Sequence, residues 1–260
     1  MGINVNSNDD VLTHKVELET PEISKNKIIY KLIKRIVDII GGLVGTILLI
    51  PITIVLYIVT LFYKENKGPL FFEQLRIGKN GKEFRLYKFR SMVMHADEKL
   101  LEYLNNNPEA KEEYRKYKKL KEDPRITKLG KFLRKTSLDE FPQFINVLKG
   151  NMSLIGPRPL VKGELDAHNG NHEIYESVRP GISGWWAANG RSDLSYDERL
   201  KLEYYYAENF SLWLDIKCIL KTIVSVIRKE GAKWYGNWYN MSFIIVFITQ
   251  DVIIKRTDWL

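Results

Sequence analysis

Between Ile36 and Tyr63 the chain reads IVDIIGGLVGTILLIPITIVLYIVTLFY, with Asp38 as the only charge in the run. That exceeds the roughly 20 apolar residues that carry an α-helix across a bilayer. A buried core helix of this length without polar relief would be unusual in a protein of 260 residues, so a membrane-inserted helix is the first constraint on the fold. Basic residues flank both ends: Lys25, Lys27, Lys31, Lys34 and Arg35 precede the run, and Lys64, Lys67, Arg76 and Lys79 follow it. The positive-inside bias therefore draws both ends to the cytoplasmic side. Pro51, near the midpoint, removes a backbone hydrogen bond and crowds the preceding turn. Together these features predict a re-entrant helix-break-helix that enters and leaves by one face. A straight span kinked at Pro51 is the competing reading, and charge symmetry does not decide between them.

Residues 1–24 are polar and aperiodic and read as a flexible tail, without the layout of a signal peptide. A net charge of +8 with an isoelectric point near 9.3 calls for an anionic partner: nucleic acid, an anionic membrane surface or a phosphorylated substrate. Cys218 is the one cysteine and lies in an apolar helical pattern, which makes it a core residue and excludes a disulfide framework within one chain. His168 and His172 share an i,i+4 spacing but lack an HExxH context, so a zinc site is not expected.

Past the membrane segment, GPLFFEQLRIGKNGKEFRLYKFRSM alternates apolar and polar residues around KNGK, a hairpin signal with Asn80-Gly81 suited to a type I′ turn. Residues 95–122 form a charged helical stretch interrupted near NNNP. A long amphipathic helix is expected from about Asp197 to Glu230, broken near AENFS. Its second half carries Leu212, Ile216, Ile219, Leu220, Ile223 and Ile227 at helical spacing, a stripe for core or membrane-surface packing. The tail SFIIVFITQDVIIKR is too short to span a bilayer as a helix and reads as strands or an interfacial anchor.

The stretch RKTSLDEFPQF places Asp139 and Glu140 side by side after Arg134 and Lys135. Ser137-x-x-Glu140 fits a capping box, in which the acids start a helix. A second reading is chemical. A carboxylate can attack phosphorus and form an acyl phosphate. The reaction then needs positive charge on the phosphoryl oxygens, from Mg²⁺ or from Lys and Arg. Mg²⁺ commonly takes one or two carboxylates plus substrate phosphates, and Lys88, Arg90, Arg134 and Arg158 would form an anion site if they converge. The two readings are compatible, since the exposed amides of a helix start also favour an anion.

The blocks KFRSM, SLDEFPQFINVLKGNMSLIGPRP and VRPGISGWW, in this order behind a single N-terminal membrane segment, closely resemble the bacterial sugar transferase family. These are monotopic polyprenyl-phosphate phosphoglycosyltransferases, and the resemblance covers about Lys31 to Trp234. It implies transfer of a sugar 1-phosphate from a UDP-sugar to a polyprenyl (undecaprenyl) phosphate, with release of UMP. It places the family's acid dyad on Asp139 and Glu140, with Asp139 as nucleophile in a ping-pong reaction and Mg²⁺ as cofactor held at the dyad. It puts phosphate and nucleotide binding on Lys88 and Arg134 and on the Pro157-Arg158-Pro159 motif; Arg90, two residues after Lys88, is a substrate-binding candidate from the anion-site reading. It matches Pro51 to the proline of the family's re-entrant helix. Ile50 stands where small members often carry serine, so no serine hydroxyl is available there for the carbonyls that Pro51 frees. Small monotopic members are the expected relatives, because the four-helix membrane bundle of long members is absent. Donor selectivity is expected in the loops between about Val161 and Asp193.

The expected fold is α+β and mostly helical: a re-entrant membrane helix, a small β-hairpin and amphipathic interfacial helices around an active site on the cytosolic face. The expected organisation is a tail (1–24), a membrane helix (25–64), a catalytic domain (65–235) and an apolar extension (236–260), at the bacterial inner membrane. The bilayer, a UDP-sugar and polyprenyl phosphate are the expected partners, nucleic acid is not, and a homo-oligomer and downstream glycosyltransferases stay open as further partners. A non-catalytic membrane scaffold of a glycan-assembly complex is the alternative; it accounts for the basic surface and the apolar segments but not for the acids, cations and GPRP occurring together.

Overall fold

The computed structural model describes residues 25–62, 68–117, 120–189 and 195–228. The expectations for residues 1–24, for 236–260, and for Lys64 and Lys67 lie outside them. Helix α1 (Lys25–Phe62) is one 38-residue α-helix, long and apolar enough to cross a membrane, with Pro51 inside it. The break expected at Pro51 is therefore not a break in the helix. The Thr53 hydroxyl, not a serine beside the proline, donates to Leu49 O at 2.7 Å, a back-bond of the kind that bends helices.

One face of α1 is built for protein and the rest is left apolar and open. Asp38 is buried, and its Oδ1 accepts from Ser153 Oγ and from Leu154 N, both at 2.9 Å. One turn earlier, Arg35 donates to Val147 O at 2.8 Å and Leu148 O at 3.0 Å, satisfying carbonyls that end the short helix α5 (Gln143–Leu148). Tyr30 and Lys34 both donate to Asp215 Oδ2 at 2.8 Å. Gly45 admits the Phe144 ring so closely that a Cβ would sit 2.2 Å from it. Farther along, Leu49 and Leu56 complete a core with Phe89 and Leu133. The single charge in the apolar run is thus an anchor to the domain, and Ile47, Ile50, Ile54, Val55 and Ile58 remain exposed.

Strands β1 (Phe71–Ile77) and β2 (Glu83–Phe89) pair antiparallel, Phe71 opposite Phe89 and Ile77 opposite Glu83. Asn80 (φ 56°, ψ 37°) and Gly81 (φ 70°) both take the left-handed conformation that a type I′ turn requires. Helices α2 (Ala96–Asn106) and α3 (Pro108–Tyr117) separate at Asn107, where Pro108 starts the second as its first residue. Helix α4 (Lys128–Thr136) precedes the acid pair. Strand β3 (Ser153–Ile155) pairs in parallel with β4 (Gly181–Ser183), and the crossover between them holds Pro157–Pro159 and α6 (His172–Tyr175).

The expected long helix is α7 (Tyr196–Asn209) followed by α8 (Leu212–Arg228). Ser195 caps α7 in a full capping box with Glu198. Inward residues of α8, Leu214 and Cys218, join Ile155 and Tyr206 in a core cluster, and burial pushes the Cys218 thiol up to about 12. The stripe of Leu212, Ile216, Ile219, Leu220 and Ile223 faces outward with Trp213. It is not core.

Candidate active site

The acid pair does not start a helix of any length. Leu138–Glu140 form a single 3-10 turn, and Ser137 sits at φ 57° with no side-chain cap bond. Ser137 instead ends α4, its N–H reaching Arg134 O and Leu133 O. The capping-box reading fails because Glu140 is claimed by another partner. Lys88 Nζ donates to Glu140 Oε1 at 2.8 Å. Lys88 follows Phe84 and Leu86 on one face of β2, so it emerges where that face leaves the core.

Arg134 approaches from α4. Thr127 caps this helix by accepting from Gly130 N at 2.9 Å. A Cβ on Gly130 would lie 1.8 Å from Ser91 O, so only glycine lets the helix pack this close. Four residues on, Arg134 lies on the same face, and its Nε donates to Ser91 Oγ at 2.8 Å. Asp139 is part-buried between these groups. Burial raises its pKa above the usual carboxylate range and Glu140 raises it further, while Lys88, Arg134 and its own backbone amide pull it down. A carboxylate that is partly stripped of water and flanked by cations is chemically suited to meet a phosphoryl group.

Arg90 is placed differently from the expected phosphate ligand. Its Nε donates to Pro69 O at 2.6 Å and Nη1 to Met92 O at 3.3 Å, which ties the chain before β1 to the chain after β2. Pro157 and Pro159 are buried while Arg158 is partly exposed, its Nη1 3.6 Å from Glu164 Oε1. The backbone of Arg158 is clamped: its N–H donates to Glu203 Oε1 at 3.2 Å, and the Tyr175 hydroxyl donates to its carbonyl at 2.8 Å. Tyr175 also contacts Glu203 Oε2. Arg76 is buried in β1 and donates to Pro159 O at 3.1 Å and Gln74 Oε1 at 2.6 Å. The charges of both Arg158 and Glu140 act on it, so the Pro-Arg-Pro loop and the acid pair border the same hairpin.

Three of these residues, Arg76, Tyr175 and Glu203, were not singled out as site residues by sequence reasoning. One signal existed for Glu203, which shares a buried helical face with Leu200, Tyr206 and Ala207. A carboxylate on such a stripe needs a polar partner. His168 stacks on Tyr196, and His172 bonds Asp166 and Glu176 at 2.7 Å each, so neither histidine is arranged as a zinc ligand. Among the described residues no group of three or more His, Cys, Asp or Glu is arranged to hold a metal ion. The oxygen donors of Asp139 and Glu140 nevertheless fit Mg²⁺ in the form that takes two carboxylates and completes its shell with substrate phosphates and water.

The sequence pattern described as bacterial sugar transferase matches residues 29–229. The chain is 43% identical over 224 residues to the undecaprenyl-phosphate galactose phosphotransferase of Salmonella typhimurium, covering 85% of this chain and 46% of that protein. It is 38% identical over 211 residues to a UDP-N-acetylgalactosamine-undecaprenyl-phosphate N-acetylgalactosaminephosphotransferase of Aeromonas hydrophila, covering 79% and 46%. It is 40% identical over 199 residues to the exopolysaccharide production protein ExoY of Sinorhizobium fredii, covering 76% and 87%. The chain therefore spans about half the length of the first two relatives and most of the length of the third.

Proposed function

The chain belongs to the bacterial sugar transferase family, and from that membership we propose that it moves a sugar 1-phosphate from a UDP-sugar to undecaprenyl phosphate at the cytoplasmic face of the inner membrane. This would be the first membrane step of a surface polysaccharide or glycoconjugate. The observation that carries the reading is the part-buried Asp139 set between Glu140, Lys88 and Arg134, on a domain anchored to an apolar helix.

In this reading an Asp139 carboxylate oxygen attacks the sugar-bearing phosphorus of the donor. A P–O bond forms to Asp139, the bond to the bridging oxygen breaks, and UMP leaves with that electron pair. A phosphate oxygen of the polyprenyl acceptor then attacks the same phosphorus and expels Asp139 as a free carboxylate. Lys88 and Arg134 offset the charge that gathers on the phosphoryl oxygens. Arg158, presented outward by a clamped backbone, binds the donor's nucleotide phosphate as a fork. Asp139 and Glu140 would hold Mg²⁺ together with the donor phosphates, and the ion supplies charge neutralisation there.

Helix α1 is unbroken at Pro51, so entry and exit by one face would need a bend within it, at the turn where Thr53 back-bonds to Leu49; basic residues at both ends and contacts with one domain from Tyr30 through Leu56 support that reading. The outward stripe of α8 then lies on the membrane surface, close to a lipid-borne acceptor. The deciding experiment is a UMP-release assay on solubilised protein with undecaprenyl phosphate, Mg²⁺ and a panel of UDP-sugars. Acceptor-free incubation with one labelled UDP-sugar should label the protein and release one equivalent of UMP. Turnover without a trappable adduct on Asp139 would overturn the covalent route. Normal glycan assembly with Asp139→Ala would favour the scaffold instead.

A further inference from the structure

A second concentration of positive charge lies at the far end of the hairpin from the acid pair. Lys31, Lys34 and Arg35 line one side of a concavity, and Lys79 at the hairpin tip and Arg179 ahead of β4 line the other. Three of the five cations have hydrogen-bond partners. Lys34 pairs with Asp215, and Arg35 is taken up by the Val147 and Leu148 carbonyls. Arg179 gives its Nε–H to Gly150 O at 2.8 Å. Its remaining guanidinium hydrogens can serve a ligand. Asp38 is the acid among the lining residues, and it is buried and already bonded to Ser153 and Leu154. Lys79 is held below the usual lysine range, first by burial and then by the charges of Lys31 and Arg179. Like charges held together in a partly enclosed space repel, and an anion between them removes the repulsion.

We infer that this concavity, between the start of α1 and the hairpin tip, binds a phosphate group carried by an anionic lipid headgroup. Lys31, Lys34 and Arg35 directly precede the apolar run that begins at Ile36, the position at which basic side chains meet lipid headgroups. A lysine point charge and an arginine fork are the donors a phosphate takes. The inference rests on α1 being membrane-inserted and is independent of the chemistry at Asp139. Glu83 and Lys88 alone are separated by about 17 Å of strand, and Lys79 lies beyond Glu83 in the turn.

The test uses the full chain in detergent micelles without any sugar donor, so that its failure says nothing about transfer. Dihexanoyl phosphatidylglycerol, dihexanoyl phosphatidylcholine and inorganic phosphate are titrated separately by calorimetry. The variants are Lys31→Gln/Lys79→Gln and, as a control of equal charge loss elsewhere, Lys99→Gln/Lys162→Gln. Phosphatidylglycerol should bind more tightly than phosphatidylcholine, and the Lys31/Lys79 variant should weaken it roughly tenfold to thirtyfold while the control leaves it unchanged. Inorganic phosphate binding as tightly as phosphatidylglycerol, with the same variant dependence, would keep the phosphate site and assign it to a soluble ligand. Equal affinities of wild type and the Lys31/Lys79 variant for both probes would overturn it. Arg179→Gln is not the primary variant because it also removes the bond to Gly150; among the described residues the side chains of the lysine pair make no such bond to the fold, so the variant's melting temperature should not fall.

Discussion

Lys88 Nζ and Glu140 Oε1 lie 2.8 Å apart across 52 residues of sequence, and this ion pair decides what Glu140 does. It withdraws Glu140 from any capping role and sets it beside Asp139, where its charge raises the Asp139 pKa.

The first prediction concerns that coupling. In the proposed reaction Asp139 attacks as the carboxylate, so activity should rise with pH through its pKa. Glu140→Gln removes a charge that raises that pKa, and Lys88→Met removes one that lowers it. The Asp139 titration, followed by carbon-labelled aspartate NMR, should move to lower pH in the first variant and to higher pH in the second. Asp139→Asn should lose adduct formation entirely. Movement of the titration in the opposite sense would mean that the two charges do not act on Asp139 as the geometry indicates.

Glu203 should make the fold less stable as pH rises. Burial lifts its pKa to about 7 against the pull of Arg199, Tyr175 and Arg158. The folded state therefore keeps a proton that the unfolded chain has already lost. Stability is fully present below the unfolded value and falls as pH climbs through about 7, by on the order of 3 kcal/mol. Thermal melts in micelles between pH 4.5 and 8 should show this slope, and Glu203→Gln should flatten it. Because Glu203 clamps Arg158, which is proposed to bind the donor, Glu203→Ala should raise the donor KM more than it lowers kcat.

Asp38 and Gly45 test how α1 is held. Asp38→Ala leaves the Leu154 N–H and Ser153 hydroxyl without their acceptor, at a cost of about 1–3 kcal/mol for each unsatisfied group. Gly45→Ala drives a methyl into Phe144, an overpacking worth about 1–3 kcal/mol. Melting temperatures should fall for both, and Phe144→Ala should recover part of the loss in Gly45→Ala but none in Asp38→Ala.

Topology can be read by labelling, because the chain's single cysteine, Cys218, is buried. Cysteines placed at positions 5 and 66 should both react with an impermeant maleimide in inverted membrane vesicles, and neither in right-side-out spheroplasts. Opposite sidedness would establish a spanning helix.

Local signals in the sequence determined much of this protein. The apolar run, the Asn80-Gly81 turn, the interruption before Pro108 and the split of α7 from α8 each depend on hydrophobic period or on residues a few positions apart. Such preferences act before any long-range contact exists. The acid pair, too, was visible as a pair. Tertiary structure alone decided which residue meets which. Ser-x-x-Glu is a cap only while no stronger partner competes, and Lys88, brought in by β2, outcompetes the backbone for Glu140. Arg76 reads as a juxtamembrane charge and is instead buried against Pro159, while Glu203, on the buried face of α7, holds the backbone of Arg158. A buried charge is tolerated only where the fold delivers a partner from far along the chain, and that delivery is a property of packing, not of local sequence.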